Sequence, residues 1–102
     1  MNYTKQIVRH KLATDIRWVE RALVRLFERQ TEYEKSANQT TNKNFVGFQT
    51  CDARMYSSFA KYILRGNHLT EKQFKYCLRN WRGRPSICKY AGQVLEMIET
   101  GR

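Results

Sequence analysis

From residue 16 the apolar side chains of Ile16, Val19, Leu23, Leu26, Phe27 and Tyr33 return at steps of three, four, one and six. Steps of three and four match the 3.6-residue turn of an α-helix, so these groups share one face; the two-residue alternation of a half-buried strand is missing. The rhythm recurs in three later stretches. Met55, Tyr56, Phe59, Ala60 and Ile63 carry it first, then Phe74, Cys77, Leu78 and Trp81, and finally Ile87, Tyr90, Ala91, Val94, Leu95 and Ile98. The only proline is Pro85, and the first of five glycines is Gly47, so the first 46 residues hold neither helix breaker. The expectation is an all-α fold: a compact bundle of four to five helices forming a single domain over residues 1–102.

The ends of these segments carry their own signals. A short first helix over residues 3–12 turns Tyr3, Ile7, Val8 and Leu12 inward, and Thr14 or Asp15 caps the next, which runs to about Tyr33. Residues 36–50 lose the period and are rich in Asn and Thr, whose side chains compete for backbone hydrogen bonds. They read as a long polar loop, with a brief extended piece at 45–48. Asp52 reads as the N-cap of a helix that stops at Gly66. Thr70 and Gln73 form a T-x-x-Q capping box, with Leu69 and Phe74 placed for a hydrophobic staple. That helix is expected over residues 71–82, broken by Gly83 and Pro85, with a last helix opened by Arg84 or Ser86.

Charge gives the strongest functional signal. The chain of 102 residues holds 19 Lys and Arg against 9 Asp and Glu, a formal net charge of +10. Nine of those cations (Arg54, Lys61, Arg65, Lys72, Lys75, Arg79, Arg82, Arg84 and Lys89) fall within residues 54–89, where Glu71 is the sole acid. Concentrating like charge costs self-repulsion unless a polyanion neutralises it, and nucleic acid is the commonest polyanion. On a helix over 71–82, Lys72, Lys75, Arg79 and Arg82 would share the face opposite the apolar one and form a basic stripe. Arg54, Lys61 and Arg65 fall outside the apolar face of the preceding helix. A second row, Arg17, Arg21, Arg25 and Arg29, has Glu20, Glu28 and Glu32 within three or four positions, so surface ion pairs account for much of it.

Other constellations are less specific. The turn at 66–69 between two basic helices has a helix-turn-helix layout, a residue longer than usual, with Glu71, Lys72 and Gln73 opening the would-be reading helix. Phe45 and Phe48 are placed either to stack on unpaired bases or to anchor the loop to the core; Trp81 invites the same two readings, and periodicity puts it inside. Metal-ion nuclease chemistry needs clustered carboxylates, and the basic block has only Asp52 at its edge and Glu71 within it. A Gly-rich phosphate loop and a nucleophile elbow are missing from the sequence, and His10 and His68 lie far apart, so no catalytic activity and no cofactor are expected. Cys51, Cys77 and Cys88 are odd in number and lack C-x-x-C spacing, which points to free thiols and no metal site. No stretch reaches the ~20 apolar residues of a membrane span and no apolar signal core follows Met1, so a cytoplasmic protein with no membrane partner is expected.

Phe45-Val46-Gly47-Phe48, Asp52-Ala53, Ser57-Ser58-Phe59-Ala60, Leu69-Thr70-Glu71-Lys72-Gln73 and Lys89-Tyr90-Ala91-Gly92-Gln93 are notable together. Over residues 44–95 this pattern resembles a small module of bacteriophage and other mobile-element proteins, found alone or joined to helicase-like DNA-processing domains. The resemblance implies a phage origin and a setting in nucleic-acid metabolism, in a host bacterial cytoplasm. It carries no defined biochemical activity, and the basic segment 80–87 is longer here than the module's usual link.

The function expected is therefore phosphate-dominated binding of DNA or RNA through Lys72, Lys75, Arg79, Arg82, Arg84 and Lys89, flanked by Arg54, Lys61 and Arg65. An alternative from another class is a phage-encoded inhibitor of a host defence complex, in the manner of an anti-CRISPR protein. Its basic face would dock on an acidic protein surface or on nucleic acid the complex carries. A third expectation is an accessory subunit of a phage helicase or recombination enzyme.

Overall fold

The computed structural model describes residues 3–37 and 48–100. Within them the chain forms α1 (Lys5–Thr14), α2 (Ile16–Ala37), α3 (Thr50–Leu64), α4 (Glu71–Cys77), a two-stranded hairpin of β1 (Asn80–Trp81) and β2 (Arg84–Pro85), a short 3₁₀ helix (Ser86–Tyr90) and α5 (Ala91–Thr100). This is the expected all-α bundle, with one small hairpin added. Among the described residues no helix is long and apolar enough to cross a membrane.

Local chemistry explains most boundaries. The Thr4 hydroxyl accepts the Ile7 N–H at 3.2 Å and starts α1. Asp15 separates α1 from α2, its Oδ1 accepting the Arg17 N–H at 3.0 Å, so of the two expected caps it is Asp15 that serves. α2 continues through Ser36 and Ala37, four residues beyond the expected end, which moves the start of the polar loop. The rest of that loop, Phe45 included, lies outside the described residues apart from Phe48 and Gln49. The capping box forms as read: Thr70 Oγ1 accepts the Gln73 N–H at 3.2 Å, and Gln73 Oε1 accepts the Thr70 N–H at 2.9 Å.

α2 packs along α3, while α1 lies against α5 and the 3₁₀ helix. Leu23, Leu26, Val19, Leu12, Val8, Ile87 and Ala60 are buried between them. At the centre stands Tyr56, fully buried, with Phe48, Phe59, Tyr76 and Tyr90 around it at centroid distances of 5.5, 6.2, 6.1 and 6.1 Å. Most of these pairs meet edge to face, the arrangement the ring quadrupole favours, worth roughly 0.5–1.5 kcal/mol each beyond area burial. Phe48 is thus a core anchor. Three residues placed on inner faces by periodicity are substantially exposed, Ile7, Met55 and Ile98, and Met97 is buried where Ile98 was expected. They sit at the edges of their apolar stripes, where a small rotation of the helix decides burial.

The helix expected over 71–82 is the main correction. α4 stops at Cys77 after two turns, and Arg82 and Gly83 form the tip of the hairpin with φ of 50° and 81°. Two consecutive positive φ values identify a type I′ turn, whose twist matches paired strands. Asn80 faces Pro85 and Trp81 faces Arg84 across it, and the Ser86 N–H donates to the Arg79 carbonyl at 2.9 Å to close its base. The last helix consequently begins as the 3₁₀ turn Ser86–Tyr90 and becomes α-helical at Ala91.

Candidate nucleic-acid interface

The nine cations of residues 54–89 separate into two groups with different jobs. Arg79 and Lys89 point inward. They converge on Asp52, which is fully buried in the first turn of α3. Arg79 Nη2 donates to Asp52 Oδ1 at 2.9 Å. Lys89 Nζ pairs with Oδ2 of the same carboxylate, and the Tyr90 hydroxyl donates to it at 2.5 Å. The Lys89 side chain is only 2% exposed. Arg79 keeps a 37% exposed side chain, stacks its guanidinium 4.0 Å from the Tyr76 ring centroid and also donates to the Tyr76 carbonyl at 3.0 Å.

This arrangement corrects the reading of Asp52 as an N-cap. Gln49 holds the cap position without a side-chain bond, and Asp52 sits three residues on with its carboxylate turned into the protein. A buried carboxylate is tolerated only when its lone pairs are filled, and here two cations and a phenol fill them. The network extends outward. The Tyr90 oxygen accepts the Gln49 N–H at 3.0 Å, and the Tyr56 hydroxyl donates to Ser86 Oγ at 3.1 Å. Burial pushes the Tyr56 and Tyr90 phenols well above their ordinary range, the hydrogen bond to Asp52 adding to the rise at Tyr90. Burial likewise pushes the Cys77 thiol up to about 12.

The remaining seven cations are solvent-facing. The expected stripe of Lys72, Lys75, Arg79 and Arg82 does not exist as one helix face, because Arg79 lies beyond the end of α4 and Arg82 is in the hairpin turn. Lys72 and Lys75 project from α4, with Lys75 Nζ 3.4 Å from Glu71 in an exposed pair one turn apart. Arg82 and Arg84 flank Gly83, and the Arg82 guanidinium lies 5.2 Å from the Trp81 ring. Trp81 is half-buried on the hairpin, where Lys89 Nζ approaches its ring to 5.3 Å.

The coherent basic face belongs to α3. Arg54, Lys61 and Arg65 line one shallow depression of about 430 Å³ together with Ala53, Ser57 and Ser58. The spacing explains this: positions 54, 57, 58, 61 and 65 fall on one side of a helix. None of the three cations forms an ion pair among the described residues, and Lys61 Nζ rests 5.9 Å from the Phe27 ring. Two hydroxyls between three cations supply hydrogen-bond donors as well as charge, the combination phosphate oxygens take up. Sequence periodicity placed these cations outside the core; the serines between them were not recognised as part of the same face.

The turn after α3 is docked on α2. The Leu69 N–H donates to Glu20 Oε2 at 2.7 Å, and His68 Nδ1 lies 3.4 Å from the same oxygen. Glu20 is therefore engaged away from the arginine row of α2. Arg29 pairs with Glu96 of α5 at 2.8 Å, while Arg17, Arg21 and Arg25 form no ion pair among the described residues; this corrects the balance expected from Glu20 and Glu28, and the Glu32 side chain lies outside the described residues. α4, with seven residues, is also shorter than the reading helix a helix-turn-helix layout calls for.

Among the described residues no group of three or more His, Cys, Asp or Glu side chains could hold a metal ion. Compared with protein-family models, curated proteins and solved structures, the chain finds no match in any of the three.

Proposed function

We propose that this protein binds nucleic acid mainly through phosphates, with the Arg54, Lys61 and Arg65 face of α3 as the centre of the contact and Lys72, Lys75, Arg82 and Arg84 as further contributors. The observation that carries this reading is the α3 face itself: three exposed cations without acidic partners among the described residues, interleaved with Ser57 and Ser58 over one depression. Arg79 and Lys89, both among the contacts expected from sequence, serve Asp52 in this reading and act as structural cations. The exposed Lys75 pair with Glu71 is no obstacle, since such pairs are worth only ~0.5 kcal/mol and exchange readily for phosphate. A phage setting, suggested by the module-like residues 44–95, belongs to the same proposal.

Gel shifts with single- and double-stranded DNA and RNA at two salt concentrations test it. Each phosphate contact contributes about −0.9 to the slope of log affinity against log salt. The three α3 cations alone predict a slope of about −3, and all seven exposed cations about −6. Replacing Arg54, Lys61 and Arg65 together by Ala is expected to flatten the slope by two to three units, at roughly one unit per lost contact. An unchanged slope, or no binding to any of the four substrates, would overturn the reading and favour the form of host-defence antagonist whose basic face docks on an acidic protein surface.

A further inference from the structure

On another part of the molecule, α2 and α5 enclose a half-open groove of about 560 Å³. Its apolar surface comes from Trp18 and Ala22 of α2 and from Val94, Met97 and Ile98 of α5, with Tyr3 closing one end against Trp18. Along it stand Arg17, Arg21 and Arg25, all exposed and all without an ion pair among the described residues. Asp15 also lines the groove, but one of its carboxylate oxygens is engaged as the α2 cap.

We propose that this groove docks an acidic amphipathic helix of a partner protein, a role independent of nucleic-acid binding through α3. Complementarity carries the argument. Arginines at every fourth position of α2 stand about 6 Å apart along its axis, from a rise of ~1.5 Å per residue. Carboxylates at every fourth position of a helix laid alongside repeat at the same pitch, so three Arg–carboxylate pairs form in register. The apolar stripe of the incoming helix covers the floor, the usual division of labour when a helix binds a groove. Ile98, 39% exposed, and the adaptable Met97 side chain lie where that stripe would sit. Arg17, Arg21 and Arg25, without an ion pair among the described residues, repel one another, and an acidic partner relieves that repulsion.

A nucleic-acid strand fits this groove less well. Its floor is largely aliphatic, and its two aromatic rings meet edge to face, 5.4 Å apart at 63°, rather than as parallel platforms for stacked bases. The rim from Arg17 to Arg25 spans about 12 Å, so the docked segment is two to three turns long and its affinity modest, on the order of 10–100 μM.

The test uses the full-length protein and a fluorescein-labelled 14-residue Ala-based peptide with Glu at three positions four apart and Leu beside them, read by anisotropy. A peptide of the same composition in scrambled order is the control for charge alone. The ordered peptide is expected to bind at least tenfold more tightly than the scrambled one. R21E/R25E and, separately, I98E are each expected to weaken it at least tenfold, with helix content by circular dichroism unchanged because all three positions are exposed. Equal binding of the two peptides, or indifference to both variants, overturns the proposal. So does displacement of the peptide by an equimolar twelve-residue oligothymidylate, which would assign the groove to nucleic acid. A dimer in light scattering that R21E/R25E dissolves would assign it to a second copy of the chain and overturn it equally.

Discussion

Asp52 is the residue on which the second half of the fold converges. Its carboxylate joins α3 to Arg79 beyond α4, to Lys89 in the 3₁₀ helix and to Tyr90 beside it, so three separate chain segments share one buried charge. Removing one member of such a set leaves the others desolvated and unpaired, which costs more than the pair itself contributes. D52N is expected to lower unfolding free energy by about 3 kcal/mol, measured from urea midpoints, because two cations then face a neutral amide. K89A is expected to be comparably destabilising while leaving the salt slope of nucleic-acid binding unchanged. The α3 triple variant is expected to do the opposite. If K89A flattened the salt slope instead, Lys89 would be a phosphate contact after all.

Among the elements, the hairpin at 80–85 has the most consequence for the basic surface. By ending α4 early it removes Arg82 from the helix and presents it at a turn beside Arg84. Its tip depends on Gly83, whose φ of 81° lies in the left-handed region that costs other L-residues ~1–2 kcal/mol. A Cβ added at Gly83 would meet nothing within 4 Å, so G83A isolates the backbone cost, and a loss of about 1 kcal/mol in chemical denaturation is expected. Arg82 already bears such strain at φ 50°. R82N, which tolerates that conformation better, is expected to be neutral or stabilising by up to ~1 kcal/mol while removing one candidate phosphate contact.

At the scale of the whole molecule, the buried phenols and thiol make stability sensitive to alkali. Burial raises the Cys77 thiol from 9.0 to about 12 and holds Tyr56 and Tyr90 above their ordinary 10.0, so each keeps a proton in the folded chain that the unfolded chain would release. The folded state therefore binds more protons between the two values, and stability must fall as pH rises across that window. These groups contribute a flat profile below about pH 9. Above it Cys77 begins to lower the melting temperature, and the tyrosines join above pH 10, each at up to ~1.4 kcal/mol per pH unit. C77A is expected to make the decline above pH 9 shallower in a thermal-melt series from pH 7 to 11, with the Cys88 thiol, also raised by burial, supplying the remainder. The same architecture leaves two depressions on the surface, a basic one on α3 and one of mixed character between α2 and α5.

Local rules written in neighbouring residues determined most of the helices, though not the early end of α4 or the hairpin after it. Three- and four-residue spacing placed Leu23, Leu26, Phe59 and Val94 inside, and Thr70 with Gln73 set the start of α4, because both effects act over a turn or two of chain. The surplus of charge in residues 54–89 was equally plain in the sequence, since counting it needs no fold. Its division was not. Whether Arg79 and Lys89 face solvent or a carboxylate depends on Asp52, 27 and 37 positions away in the chain, and only tertiary packing brings them together. The same holds for Glu20, one of the acids expected to balance the arginine row of α2, which instead satisfies Leu69 from 49 positions away. Long-range pairing of charge, decided by which helices pack together, is what turned a basic composition into distinct structural and solvent-facing cations.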